Sequence, residues 1–142
     1  MANLKSILKK GLESTEKEED KGTGTINELV SKAFTTRNLL HFKHWGTKSF
    51  AQHDALGELY DEIVDQIDEI VEVYQGKFGL LTNLSVPSAS VPEDVISHVK
   101  SEADWVCANK CSIAQENAAV ENLLDELEGM YLKTIYKLEN LH

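Results

Sequence analysis

Three of the five histidines in this chain, His41, His44 and His53, fall within thirteen residues, HFKHWGTKSFAQH, grouped around a Trp and a Gly. Directly after them, residues 50–76 carry eight carboxylates (Asp54, Glu58, Asp61, Glu62, Asp65, Asp68, Glu69 and Glu72) and no Lys or Arg. Imidazole nitrogens combined with hard carboxylate oxygens suit iron, manganese or zinc. The three histidines and these carboxylates are the candidate ligands. Glu58/Glu62, Asp61/Asp65, Asp65/Glu69 and Asp68/Glu72 stand four apart. Like charges at that helical spacing disfavour a helix by about 0.2–0.5 kcal/mol a pair, so something must offset the repulsion. A bound cation would do so; the plainer reading is a solvated face screened by salt.

Other chemistry-bearing pairs are weaker. His98 and Glu102 stand four apart and could ligate together. Cys107 and Cys111 have neither a second Cys pair nor a His at zinc-site spacing, which favours small buried hydrophobes in a reducing compartment over a metal site. Trp45 and Trp105 read as core or interface fillers. No nucleophile and base arrangement and no phosphate-binding Gly loop is visible.

The elements that position these groups follow from caps and periodicity. Four Ser or Thr residues precede a Glu or Gln by three positions ahead of an apolar stripe: Thr25/Glu28, Ser49/Gln52, Ser90/Glu93 and Ser112/Gln115. Each is a capping-box candidate, because the hydroxyl can accept from a first-turn amide while the longer side chain reaches back. Four helices are expected, at about 26–45, 50–77, 92–109 and 113–141, with Pro92 in the first turn of the third. The first and last pairs are joined by GTKS and NKCS, which predicts antiparallel hairpins. The middle connection, KFGLLTNLSVPSASV, is fifteen residues long. At about 3.3 Å per extended residue it reaches ~50 Å, enough to pass a helix of that size. Short, long, short predicts an all-α, ferritin-like four-helix bundle with a long crossover from the second helix to the third (B–C), an up-and-down bundle being the alternative. The third and fourth stripes are almost wholly apolar, which leaves a di-iron centre inside the bundle without inward ligands.

A chain of 142 residues, 42% hydrophobic with 8 Gly and 2 Pro, fits one core, here residues 25–142 behind a charged tail at 1–24. The tail is basic at Lys5, Lys9 and Lys10, then acidic through ESTEKEED. A net charge of −10 argues against a surface built for nucleic acid, and three cations neutralise few phosphates, so at most weak, salt-sensitive DNA binding is expected. The cationic opening lacks the apolar core of a signal peptide and no long apolar run occurs, so a cytoplasmic protein without a membrane partner is expected.

The segment from His41 to Glu72 resembles the A–B region of the Dps-like mini-ferritins, which also show a His-Trp, a Gly, and a Phe shortly before a second His that leads into an acidic helix. TKSFAQH and VYQGKFG are in addition similar to segments of short proteins of large tailed phages. The mini-ferritin resemblance implies Fe(II) binding and oxidation at a mono- or di-iron site between two subunits, with Zn or Mn as alternatives, and iron storage in a homo-oligomer, a dimer at least or a hollow dodecamer. By spacing, His53 matches the second family histidine, and Asp68 and Glu72 match the acids of the partner subunit. His41 keeps the family's distance to His53, whereas His44 keeps the Trp neighbour. The family's acid four residues after the second His is replaced by Gly57, leaving Glu58 or Asp61 as substitutes. The competing expectation is a non-catalytic, phage-encoded bundle that binds a host or viral protein through its acidic second helix.

Overall fold

A computed structural model describes residues 22–142 of the chain. Four helices follow one another: α1 (Ile26–Gly46), α2 (Phe50–Phe78), α3 (Val95–Ala114) and α4 (Ala118–Asn140), with no strand among the described residues. The result is a four-helix bundle. The basic arm Lys5, Lys9 and Lys10 and the acidic run after it lie outside the described residues.

Two of the four expected caps operate. Thr25 Oγ1 accepts from the Glu28 amide and opens α1, and Ser49 Oγ accepts from the Gln52 amide and opens α2. The other two are corrected. Asp94, not Ser90, opens α3: its carboxylate accepts from the Ser97 amide at 3.0 Å and from the Ser97 hydroxyl at 2.7 Å. Pro92 therefore precedes the helix instead of lying in its first turn. Ser112 cannot cap, because its hydroxyl donates to the carbonyls of Gly24 and Asn109 from inside α3. The helix runs on through NKCS to Ala114, the turn falls at Gln115 and Glu116 with φ of 49° and 65°, and Asn117 opens α4 by accepting from the Val120 amide.

Helix directions follow from the pairs between them. Gly24, Lys32 and Thr36 meet Asn109, Glu102 and His98 in that order, so α1 and α3 are antiparallel. Glu58 and Gln66 meet Lys137 and Glu126 of α4, and Tyr74 meets Gln115 in the turn that leads into it, so α2 and α4 are antiparallel. With the two hairpins, this makes α2 and α3 parallel. The segment between them lies along α1: Asn27 donates to the Thr82 carbonyl near one end, and Lys43 donates to the Glu93 carbonyl near the other.

The core is built from single-faced stripes, among them Leu29 and Leu40 of α1, Leu56, Ile63, Ile67 and Ile70 of α2, Val99 and Ile113 of α3, and Leu124, Leu127 and Tyr131 of α4. Burial of such side chains supplies the main stabilisation, of the order of 1.5–3 kcal/mol each. The inward faces of α3 and α4 are less apolar than their sequence suggests, since Glu102, Asn109 and Thr134 are buried. Trp45 is 66% exposed and fills no core, whereas Trp105 packs partly buried against the cluster. Cys107 and Cys111, expected as buried hydrophobes, are both exposed. The chain entering α1 is tied to α3: the Gly22 amide donates to the Ala108 carbonyl and the Gly24 amide to Asn109 Oδ1. Glycine is required there, for a Cβ on Gly24 would stand 2.7 Å from both Asn109 Oδ1 and Trp105 Cζ2.

Candidate functional site

The three-residue link between α1 and α2 is short enough to force their adjoining ends together, and His44 and His53 meet there. Their rings stack with centroids 3.5 Å apart. His44 Nδ1 lies 2.6 Å from the His53 carbonyl oxygen, and His53 Nδ1 lies 2.9 Å from the His44 carbonyl oxygen. A carbonyl only accepts, so each ring carries a proton on Nδ1 and donates it across the hairpin. Both tautomers are thereby set in this reciprocal lock, and neither Nε2 has a hydrogen-bond partner among the described residues.

The lock explains Gly57. A Cβ at that position would stand 3.0 Å from His44 Cε1 and 3.2 Å from its Nδ1, so the ring occupies the space that a side chain would need. An open cleft of about 350 Å³ beside it is lined by His44, His53, Asp54, Gly57, Glu58 and Asp61. Glu58 is already engaged, with Lys133 at 3.3 Å and Lys137 in closer contact, both from α4. The hydrogen bond from Lys137 is the main reason that the Glu58 carboxyl is held below its ordinary range; partial burial opposes it and Lys133 adds to it.

His41 stands apart from the lock. Its ring stacks on Tyr60 at 4.1 Å and lies 4.4 Å from Trp45, with 6.3 Å between the His41 and His44 centroids. Asp68 and Glu72 are fifteen and nineteen residues beyond His53 on one continuous helix. At ~1.5 Å per residue they lie roughly 22 and 28 Å along it, so within one chain they cannot share an ion with His53. Among the described residues, no group of three or more His, Cys, Asp or Glu side chains is placed to hold a metal ion.

The outer side of α2 is uninterrupted acid. Asp54, Asp61, Glu62, Asp65, Asp68, Glu69 and Glu72 are all exposed, and none of them is in an ion pair among the described residues, where Glu58 is the acid of α2 that finds lysines. A further polar cluster lies in the α1–α3 seam. Thr36 Oγ1 is 2.9 Å from His98 Nε2, and Lys32 pairs with buried Glu102 at 3.1 Å. Burial lowers the His98 imidazole below its ordinary range; nearby Glu102 opposes this and Lys32 reinforces it. His98 and Glu102 therefore serve two different partners on α1 and do not act as a pair. Sequence reasoning passed over a Glu-x-x-His at the C-terminus, Glu139 and His142; Glu139 pairs with Lys100 of α3 and His142 lies beyond the end of α4.

Residues 44–138, from the hairpin lock to near the end of α4, match the family of unknown function DUF5856. The chain belongs to this family. A relative, the uncharacterised 14.6 kDa protein of the mobD-ri intergenic region of Enterobacteria phage T4, is 30% identical over 114 residues, which cover 79% of this chain and 86% of that protein. No solved structure matches the chain. No helix among the described residues is long and apolar enough to cross a membrane. The family match begins at His44 and takes in the whole of α2, so the lock and the acidic face both lie within it.

Proposed function

We propose that this protein is a phage-type, ferritin-like bundle that works as a protein-interaction module, presenting the acidic face of α2 to a cationic segment of a host or viral protein. The ferritin-like assignment is supported by parallel α2 and α3 and by the long connection that runs between them along α1. One observation carries the function: seven exposed carboxylates line one helix without a cationic partner among the described residues. Their mutual repulsion weakens the free protein and is relieved when cations from outside approach, which also speeds encounter.

That trade is testable without knowing the partner. Replacing Asp61, Asp65 and Asp68 with Asn and Glu72 with Gln removes three like-charge pairs, Asp61/Asp65, Asp65/Glu69 and Asp68/Glu72, and relieves a fourth, Glu58/Glu62, only indirectly. The variant is expected to be about 0.5–1.5 kcal/mol more stable in chemical denaturation. It should also lose the salt-sensitive binding of a lysine-rich helical peptide, mapped to α2 by amide chemical shifts in the parent. A less stable variant, or peptide shifts that fall elsewhere, would overturn the reading.

A second reading, a mini-ferritin that binds and oxidises Fe(II), is favoured by the cleft that holds His44 and His53, their Nδ1 atoms already engaged, together with Asp54 and Asp61. The two imidazoles and one of these acids would hold the cation, with Asp68 and Glu72 supplied by a second copy and iron as the substrate to be stored. Anaerobic Fe(II) titration separates the two readings. Tight, stoichiometric uptake that is lost in His53→Ala supports this one, and the lack of a tight site rejects it.

A further inference from the structure

The outward side of α3 holds a pair of groups that neither function uses. Cys107 and Cys111 are the two cysteines of the entire chain, both are reduced, and both are exposed. Free cysteine is among the most often buried side chains, so two on one outward face need a reason. Their spacing of four places them on the same side of α3, one turn apart. Residues so related on a helix have Cβ atoms about 5–6 Å apart, whereas a disulfide needs about 3.5–4.5 Å. The helix therefore opposes a bond between the two sulfurs. It does not oppose one atom between them, because metal–sulfur bonds of about 2.3 Å bridge a sulfur–sulfur gap of about 4 Å. Side-chain rotation supplies that approach without any change in the backbone.

We propose that Cys107 and Cys111 form a two-thiolate chelate on the surface of α3 for a soft, low-coordinate metal or metalloid ion. Such an ion prefers thiolates to the carboxylates of α2, so the two surfaces select different ligands. With a trivalent organoarsenical the step balances. Each thiol gives its proton to the oxygen of the arsenic oxide, two arsenic–sulfur bonds form, one water leaves, and no oxidant is consumed.

The experiment uses the full reduced chain and phenylarsine oxide. Intact mass should show one arsenical per chain less one water, with both thiols removed from the free-thiol titre and the protein still a single chain. Cys107→Ser and Cys111→Ser should each bind roughly 100-fold or more weakly, since the second sulfur then no longer acts at the high effective concentration that a shared helix provides. Unchanged helical circular dichroism in both variants excludes unfolding as the cause. Free thiols persisting with stoichiometric arsenical, equal affinity in a single-Ser variant, or an arsenical bridging two chains would each overturn the chelate. So would quantitative formation of an intrachain disulfide with a mild oxidant, which would show that the two sulfurs approach too closely for the geometry invoked.

Discussion

Leu124→Ala is expected to lower the unfolding free energy by about 2–5 kcal/mol, a large share of the ~5–15 kcal/mol typical of such a domain. Leu124 is 0% exposed on the inner stripe of α4, in one core cluster with Leu56, Ile63 and Ile67 of α2. Truncation removes transfer free energy and leaves a cavity that four long helices cannot collapse around without shifting their axes. Leu132 supplies the control within the same helix. It is the same residue type but 51% exposed, and Leu132→Ala should change stability by no more than about 0.5 kcal/mol. Urea unfolding followed by circular dichroism measures both. Equal midpoints for the two variants would contradict the packing described for α4.

The second large effect lies in the α1–α3 seam. Glu102 is buried, with its side chain only 7% exposed, and its carboxylate is met by Lys32 at 3.1 Å. Lys32 is 35% exposed and also lies 5.3 Å over the Trp105 ring, so its stem and charge both bear on the seam. Lys32→Ala strands a carboxylate that water can scarcely reach. Stranding one member of a buried pair costs about 3–5 kcal/mol; because Lys32 is partly solvated, a loss of about 1–3 kcal/mol is expected. Replacing both, Lys32→Met with Glu102→Met, should return most of that loss, since apolar groups of similar volume remove the desolvation penalty along with the attraction. A double-mutant cycle in guanidinium chloride gives the coupling directly. A cycle in which the two single changes simply add would show that the pair does not interact.

Glu102 also shows where sequence reading stops. A Glu within the apolar stripe of the third helix looks like a surface residue or a ligand, and only the lysine brought in from α1 makes its burial tolerable. The caps divide in the same way. Thr25 and Ser49 act as their local patterns require, because nothing distant competes for their hydroxyls. Ser112 has the same local pattern, but its hydroxyl is taken by the carbonyl of Gly24, 88 residues away in the chain, and α3 runs past it. At the start of α3, Asp94 draws in both the amide and the hydroxyl of Ser97, which moves the first turn beyond Pro92.

For the candidate site, composition and spacing alone determined that histidines from two helices would converge at the first hairpin and that α2 would carry an acidic face. Both follow from short-range rules: a link too short to separate the helix ends, and a period that sorts side chains by face. The tertiary structure decided what those groups do once together. It turned both Nδ1 atoms onto backbone carbonyls, placed the His44 ring over Gly57, stacked His41 on Tyr60, and bound Glu58 to the lysines of α4. The reason is physical. Periodicity specifies the direction in which a side chain leaves its helix, whereas its partner is set by the rotation and depth at which a second helix packs, and that depends on the whole core at once.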